Sequence, residues 1–382
     1  MRARRVVSRA LSRALSRDFL ALPVISRDWR AESFKVFNRP LAFERAVAAN
    51  PAAAGVAAAD VRDATLGFAV GKAAIAMARA AGPIPCGLVV SPHGTTGALP
   101  PGWTGMTAGH PEPDDASVAA GAAVRALVES AGPDDVVLAL ISGGASALIE
   151  QPRVPLAEFR ARIAAVMAGG AAIAELNAAR TALSELKGGQ LARLCRGRIV
   201  TLVASDVVGD RLDVIGSGPT IPPRAQDRAE LVAPLAAFAQ LIARELGVRV
   251  VEPALVGDVA DVARRIAGEP GAFVAYGEPT LCVPVEHGEG GRAQQLALLL
   301  ARELRGTERS ALVAGSDGID GPPPRGRPAP AGAFVDGTTW DRLADPEGAL
   351  ARCDAGNALA QIGALFVTGP THVNHADVVI VG

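Results

Sequence analysis

Short aliphatic runs alternate with helix-length segments along most of the chain from Leu41 onward. The runs carry almost no charge, which is typical of strands buried on both faces of a sheet. Intervening helices favour parallel pairing, because a parallel connection needs a crossover. We therefore predict an α/β protein of two α/β domains, the first built on a Rossmann-like, mostly parallel sheet. Its predicted strands are TLGFAV, CGLVVS, DVVLALIS and RIVTLVAS.

The segments between these strands carry residues that begin and end helices. Gly82 ends the predicted helix KAAIAMARAAG. Asp114 or Asp115 caps a second helix, which Gly132 ends. Further helical segments are predicted from about Leu156 through LNAARTALSELKGGQLARL.

The alternation resumes after a Pro-rich patch at residues 221–224 and the polar run QDRAE, which we interpret as a domain boundary. We expect a long helix from about Leu231 to Leu246, a helix after Asp258 and a helix over GGRAQQLALLLAREL. Expected strands are VRVV, GAFVAY, PTLCVPV at a sheet edge, ALVAG, LFVTG and VVIVG. The predicted divisions are a poorly matched segment at 1–40, a first α/β domain at 41–228 and a second at 229–382, with the active site in the cleft between the domains.

Glycine and a polar or charged residue follow an apolar strand at five places: GFAVGKAA, LISGGASA, VASDVVGD, VAGSDGIDG and LFVTGPT. In open α/β sheets, ligands bind at the carboxyl ends of the strands. Together with Arg292 at a helix start, these segments supply backbone amides, a lysine and aspartates. That set suits phosphate binding, Mg²⁺ binding and phosphoryl transfer. A Gly-Gly pair is equally a plain strand-to-helix turn, and Asp206 and Asp210 are equally turn-capping residues.

Composition narrows the function classes. The chain has 382 residues and a net charge of −1, which offers no field for nucleic acid or an anionic membrane. No run of aliphatic residues is long enough to span a bilayer. Four separated cysteines without a C-x-x-C pair fit a reducing cytoplasm. The basic residues are almost all Arg, so the three lysines, Lys35, Lys72 and Lys187, either mark positions where a compact ammonium is preferred or have survived by chance.

Two nucleotide-binding fingerprints are missing. GFAVGKA has three residues between its glycines and Ala73 after the lysine, so it is not a Walker A loop. No G-x-G-x-x-G opens a helix after a strand with an acidic partner downstream. His110, in AGHPEPD, is open to interpretation as a structural loop histidine.

The first thirty residues stand apart. SRALSRALSRD places Arg9, Arg13 and Arg17 one helical turn apart with few acidic residues nearby, as in a transit peptide. The alternative that we favour is an N-terminal extension or a misassigned start codon. We predict that deleting these residues leaves stability and turnover nearly unchanged.

The ordered motifs from about Leu66 resemble the glycerate 2-kinases, which combine an N-terminal glycerate-kinase domain with a C-terminal MOFRL domain named for its leucine-rich character. The resemblance rests on GKAAIAMA, AGHPEPDDAS, DVVLALISGGASAL, LNAARTALSELKGGQLA, LVASDVVGDRLDVIGSGPTIP, GEGGRAQQLAL, GSDGIDG, DGTT and VTGPT. It implies transfer of the γ-phosphoryl group of ATP to glycerate with Mg²⁺, giving 2-phosphoglycerate. It implies a small-molecule substrate and no nucleic acid or membrane partner, and leaves a homodimer open.

The resemblance places the family's functional residues at Lys72, Asp206 and Arg292, which we expect to be catalytic. Lys72 and Arg292 are expected to neutralise phosphate and the substrate carboxylate, and the first turn of the helix at Arg292 to bind the same anion. Asp206, Asp317 or Asp320 is expected to hold Mg²⁺ or to accept the glycerate hydroxyl proton. Expected substrate- or nucleotide-binding residues are Ser142, Gly143, Gly144, Ser146, His110, Asn177, Arg180, Lys187, Asp317 and Asp320; expected metal ligands are Asp210 and Asp317.

This chain departs from the family pattern at three places. Thr181-Ala182 stands where the family commonly has Lys-His, and GGRAQQ has Ala293 and Gln295 where an Asn and a Glu are common. The tail TGPTHVNHAD keeps Asn374 and Asp377 but replaces two small residues by histidines. Two alternatives therefore stay open: a hydroxypyruvate reductase, a name that family members have carried, and a ligand-binding relative that has lost turnover.

Overall fold

The computed structural model describes residues 38–168, 173–252, 255–322 and 327–382. The predictions for the first thirty residues, and most of the predicted segment 1–40, lie outside the described residues. Within the described ranges, no helix combines the length and the apolar character needed to cross a bilayer.

Six strands of the described first half form one sheet in which every neighbouring pair is parallel. The strand order is β3-β2-β1-β4-β5-β6, the order of dinucleotide-binding Rossmann sheets, so the predicted fold class is confirmed. The strands are β1 Leu66–Val70, β2 Cys86–Pro92, β3 Trp103–Ala108, β4 Val136–Ile141, β5 Arg198–Ala204 and β6 Arg228–Ala233.

Helices cover both faces of this first sheet. In β4, Ala139 and Ile141 pack into one apolar layer, and Leu138 and Leu140 pack into the layer on the opposite face. Burial on both faces explains why the strand is an uninterrupted aliphatic run. The helices here are α1 Arg39–Ala49, α2 Pro51–Ala58, α3 Ala74–Ala81, α4 Asp115–Ser130, α5 Ala145–Leu148, α6 Leu156–Ala168, α7 Ile173–Leu183 and α8 Gln190–Leu194.

The second sheet is mixed. Among the described residues its order is β11-β10-β9-β12-β8-β7, and only the β7–β8 pair is parallel. Its strands are β7 Arg249–Val250, β8 Phe273–Gly277, β9 Ser310–Gly315, β10 Gly332–Asp336, β11 Leu365–Phe366 and β12 Asp377–Val381. Its helices are α9 Ala237–Leu246, α10 Val259–Gly268, α11 Arg292–Glu303, α12 Pro346–Ala351 and α13 Ala355–Gln361.

Helix α1 connects the two halves of the described chain. The ring of Phe43 is fully buried and meets Phe238 of α9 edge-on at 5.1 Å and Phe366 of β11 at 5.3 Å between centroids. Edge-to-face packing of this kind adds to the stability gained from area burial. The segment before Leu66, which carries none of the family motifs, therefore joins the two sheets.

Two predictions of secondary structure are wrong, and two strands, β3 and β10, were not among the predicted ones. Residues 228–233 form the edge strand β6, not a polar linker and a helix start, and Pro234 separates this strand from α9. The expected strand over 279–285 is a loop with a single bridge between Asp258 and Thr280. Strand β10 was not predicted, because GAFVD is short and follows a Pro-rich stretch. The domain division at 228/229 stays a prediction.

Candidate active site

The centre of the first sheet is the point where its strand order reverses, between β1 and β4. Immediately after β1, Gly71 adopts a φ of +129° and the backbone N–H of Lys72 donates to the carbonyl of Gly143 at 2.9 Å. A Cβ on Gly71 would lie 2.1 Å from Oγ of Ser142, so only glycine fits. The loops after two parallel strands are thereby joined where such folds bind ligands.

The Ser142–Gly143–Gly144 loop is built by close contacts. The hydroxyl of Ser142 is buried and accepts from the N–H of Ala73 at 3.1 Å, so it holds the turn. A Cβ on Gly143 would lie 1.6 Å from Oδ2 of Asp206. Gly144 has a φ of +86°, and a Cβ there would lie 3.0 Å from the His110 ring. The two glycines are therefore required by neighbouring side chains as well as by the turn.

A cleft of about 260 Å³ opens between the two sheets. Across it, Nζ of Lys72 donates to Oδ2 of Asp317 at 2.9 Å, and both side chains are a little over a quarter exposed. Burial opposes the charge of Lys72, but Asp317 and more distant carboxylates outweigh it and raise the pKa of the lysine. The cleft is lined by Lys72, Asp206, Glu278, Gly291, Arg292, Ser316, Asp317, Ile319, Asp320, Gly321, Asn374, Ala376 and Asp377.

Arg292 faces the same cleft from the start of α11. Its Nε donates to Oδ2 of Asp377 at 2.7 Å and its Nη1 to Oε1 of Glu278 at 2.9 Å. Burial disfavours the charge of this guanidinium, but the two carboxylates outweigh that effect and raise its pKa. Much of its hydrogen-bonding capacity is therefore directed to the protein.

Asp320 holds the first turn of α11. Its carboxylate accepts from the N–H groups of Ala293 at 2.9 Å and Gln294 at 2.7 Å, as a helix cap does. Burial and the neighbouring charge of Asp377 raise the pKa of Asp320 to about 6. Asp320 already occupies these two donors, which argues against the expectation that this helix turn binds a substrate anion.

Asp206 lies on the opposite side of the cleft, after β5. Its Oδ2 accepts from Nδ2 of Asn374 at 2.9 Å. Burial raises the pKa of Asp206, although Asn374 and the Lys72 charge act against that shift. A buried carboxylate with a raised pKa suits a proton acceptor.

His110 lies beside the cleft without lining it. Its ring is next to Gly144, and the residue is exposed as a whole. Partial desolvation of the ring and the positive charge of Lys72 lower its pKa to about 4. His110 is therefore neutral at physiological pH.

Besides His110 and the Ser142–Gly143–Gly144 loop, which border the cleft, five expected site residues are absent from its lining. Asp210 accepts from the N–H of Leu235 at 2.9 Å, which is the turn-capping role left open by the sequence. Lys187 is 2% exposed and forms a buried ion pair with Glu150. Ser146 and Asn177 form a separate polar cluster with Ser217, and Arg180 lies one helical turn after Asn177 on α7.

Sequence reasoning did not select Glu278, Asn374 and Asp377 as site residues. Glu278 directly follows β8, which is the signal used for the other strands, but no glycine-rich turn marks it beyond Gly277. Asp377 begins a strand and pairs with Gly277 and Gly315, the last residues of β8 and β9. Only the antiparallel placement of β12 brings that residue to the edge where the other two strands end.

Comparisons with known proteins bear on the family and the fold of this chain. The profile described as "Domain of unknown function (DUF4147)" matches residues 31–242, and that of the MOFRL family matches residues 271–377. A D-glycerate 2-kinase from Thermotoga maritima is 34% identical over 82% of this chain and 89% of its own length. A protein from Agrobacterium vitis named "Putative hydroxypyruvate reductase" is also 34% identical, over 81% of this chain and 96% of its own length.

Solved structures are similar over nearly the same extent. The crystal structure of a Thermotoga maritima glycerate kinase has a TM-score of 0.77 and 31% identity, covering 89% of this chain and 97% of that one. A Pyrococcus horikoshii protein has a TM-score of 0.70 and 28% identity, covering 90% and 97%.

Proposed function

The chain belongs to the glycerate 2-kinase family, in which a DUF4147 domain precedes a MOFRL domain, and from that premise we propose that it transfers the γ-phosphoryl group of ATP to the 2-hydroxyl group of glycerate. The observation that carries the proposal is the meeting of Lys72, Asp206 and Arg292 around one cleft. These three come from sequence segments far apart and from both sheets.

Phosphoryl transfer needs positioning and charge stabilisation more than covalent chemistry from the protein. Lys72 supplies an ammonium beside the turn where the loops after β1 and β4 meet, and that turn is a natural place for phosphate oxygens. Arg292 supplies a second positive charge, whose orientation is fixed by Asp377 and Glu278. We assign both cations to the transferring phosphoryl group.

We assign Asp206 as the acceptor of the glycerate hydroxyl proton. It is buried, its pKa is raised, and Asn374 fixes its orientation. A higher pKa makes a carboxylate a stronger base near neutral pH. Asp317 is the alternative, but it already accepts a hydrogen bond from Lys72.

The carboxylates that line the cleft are suitable ligands for Mg²⁺. Within the described ranges, no three His, Cys, Asp or Glu side chains are grouped so as to hold a metal ion. Mg²⁺ in kinases uses one or two carboxylates together with phosphate oxygens, so Asp317 is a sufficient protein ligand. Mg²⁺ bound together with ATP would neutralise part of the phosphate charge. Asp210 does not line the cleft and is not included in the proposed site.

A hydroxypyruvate reductase would need a dinucleotide site. The strand order is compatible with one, but the β1 turn carries Gly71, Lys72 and Ala73 in place of a glycine-rich fingerprint. We therefore expect no NADH oxidation with hydroxypyruvate. We place the reaction in the cytoplasm, with a small-molecule substrate and the oligomeric state left open.

The test combines ADP release with identification of the product. ADP should form with D-glycerate, ATP and Mg²⁺, and EDTA should abolish its release. The proton-coupled ³¹P signal of the product should be a doublet, because phosphate on C2 has one proton on the ester carbon. A triplet would show phosphorylation at C3, and absence of glycerate-dependent ADP release would overturn the kinase assignment.

A further inference from the structure

A second polar cluster lies in the first domain, behind the Gly143–Gly144 loop. The hydroxyls of Ser146 and Ser217 are 2.9 Å apart, and Oγ of Ser217 donates to Oδ1 of Asn177 at 3.2 Å. The Nδ2 atom of Asn177 is buried and has no hydrogen-bond partner among the described residues. A buried donor without a partner costs free energy, so its presence needs an explanation.

Arg180 lies one helical turn after Asn177 on α7, so both side chains project from the same face. No hydrogen bond or ion pair of its guanidinium occurs within the described part of the chain. Burial lowers its pKa, and Glu150 acts in the opposite direction. A partly buried guanidinium and a buried amide N–H thus both have no acceptor in the described ranges.

The charges around Arg180 leave a positive excess. Glu150 is fully buried, and it accepts hydrogen bonds from Lys187 and Ser184. This carboxylate is therefore matched by Lys187, and Arg180 has no ion-pair partner among the residues that the structure describes. One further negative charge would balance the cluster.

The backbone beside the cluster is held in an uncommon conformation. Ser217 has a φ of +58° and lies between Gly216 and Gly218, which also have positive φ values. The N–H groups of Gly188 and Gly189 clasp this loop by donating to the carbonyls of Ser217 and Gly218 at 3.0 and 2.8 Å. A non-glycine residue held at positive φ is favoured at ligand sites, where its side chain is fixed in advance.

The cleft itself is poorly suited to a substrate carboxylate. Among the described residues five carboxylates line it, against the two cations Lys72 and Arg292, and both cations are already paired. A carboxylate without a metal ion would be repelled there. The loop from Ser142 to Ser146 reaches both places, since Gly143 touches Asp206 and Ser146 touches Ser217.

We propose that Arg180 and Asn177, oriented by Ser146 and Ser217, form the subsite that binds the carboxylate of the acceptor substrate, apart from the cleft that takes the nucleotide phosphates. This inference rests on the proposed kinase function. Arg180 offers a fork of donors to the two carboxylate oxygens, and Asn177 adds a third donor. The Gly143–Ser146 loop, which meets Asp206 at one end and Ser217 at the other, connects this subsite to the proposed proton acceptor. Arg180 and Asn177 thus determine specificity for a hydroxy acid over a neutral polyol.

The test uses the full chain with Arg180→Gln, Arg180→Lys and Asn177→Asp. Loss of a charge-assisted hydrogen bond of this kind lowers affinity by about 10- to 100-fold. Arg180→Gln should raise the KM for glycerate by about that factor and leave the Kd of a non-hydrolysable ATP analogue within about twofold. Arg180→Lys should recover part of the loss. Asn177→Asp, which places a negative charge against the substrate, should raise KM at least as much as Arg180→Gln.

The control is Arg162→Gln, which replaces an exposed arginine of α6 paired with Glu158. It should change neither the KM for glycerate nor the Kd of the ATP analogue.

The outcomes separate the two proposals. An active wild type whose glycerate KM is unchanged in all three variants would overturn the subsite. Loss of nucleotide affinity with normal glycerate KM would overturn it too, because the anion bound there would be phosphate. A wild type without glycerate-dependent ADP release would overturn the proposed function and the inference that rests on it. If Arg180→Gln does not fold, Arg180→Lys and Asn177→Asp carry the test.

Discussion

The two sheets bring functional groups to the cleft in different ways. The first sheet is parallel throughout, so its contributions all follow strands: Lys72 after β1, the Gly143–Gly144 turn after β4 and Asp206 after β5. In the second sheet, Glu278 and Asp317 follow strands, whereas Asp377 begins an antiparallel one. A parallel sheet gathers only carboxyl ends at one edge, but a mixed sheet gathers both ends.

This difference separates the chemistry of the two sides. The first sheet contributes a tight backbone turn, an ammonium and one buried carboxylate. The second contributes four carboxylates, and its only cleft cation among the described residues, Arg292, is held by two of them. We infer that the first side binds and positions phosphate, while the second side controls charge around it.

The largest expected effect tests the first side. Lys72→Ala should lower kcat by about 10³-fold, roughly 4 kcal/mol, because the charge nearest the proposed phosphate turn is removed. The melting temperature should stay close to wild type, since the ammonium is part-exposed. Arg79→Ala removes an exposed cation from the same helix region and should leave kcat unchanged. Normal turnover with collapsed stability would show that Lys72 is structural.

The second prediction concerns the close packing between the two sides of the cleft. Gly143→Ala should lower kcat by about 10²-fold, because the new Cβ meets Asp206 and Asn374 at 1.6 and 2.1 Å and must displace them. Gly268→Ala is the control, since a Cβ there has no atom within 4 Å. Steady-state kinetics on both variants measure the change in kcat. If Gly143→Ala has the kcat of wild type, the position of Asp206 is unimportant.

Much of the first sheet was predictable from sequence. Aliphatic runs such as that of β4 reflect burial on both faces, and a strand that ends in glycine and a polar residue marks the ligand edge by local chemistry alone. This signal marked Lys72 and left Asp206 open as a turn-capping residue, and the family resemblance supplied the catalytic role of both. Arg292 needed the family resemblance, because a helix start after two glycines is common.

The second sheet was less predictable because its site depends on long-range pairing. Asp377 belongs to the site only through the register that places it opposite Gly277 and Gly315, and sequence periodicity carries no such register. The role of Asp320 depends on α11 lying against its carboxylate. Local patterns indicated that Asp320 was important but not that it caps a helix.

A third prediction concerns Asp320 and pH. Its pKa is raised from 3.8 to about 6, so the folded state binds more protons than the unfolded state between these values. Its contribution to stability is therefore present below pH 4 and is lost as pH rises through 6, by about 2 kcal/mol between pH 4 and pH 6. In urea unfolding, the stability of wild type relative to Asp320→Asn should fall by that amount.

The exposed helix cap Asp345 is the control for this effect. Its pKa is lowered, chiefly by Arg352. Its stabilising contribution is present at neutral pH and is lost as pH falls, so the difference between wild type and Asp345→Asn should have the opposite sign. A pH-independent difference for Asp320→Asn would show that its carboxylate is not held in the desolvated state described above.

The smallest expected effect tests the second side through Arg292. A planar guanidinium donates from Nε to Asp377 and from Nη1 to Glu278 at once, whereas an ammonium keeps the charge without that fixed fork. Arg292→Lys should therefore retain nucleotide binding and lose about tenfold in kcat/KM for glycerate, about 1.4 kcal/mol. The loss should lie in kcat, because we place the glycerate carboxylate at Arg180. Arg302→Lys, at the other end of α11, should be neutral. If Arg292→Lys instead raised the KM for glycerate with kcat unchanged, Arg292 would be the carboxylate ligand, and charge control would not be the function of the second sheet.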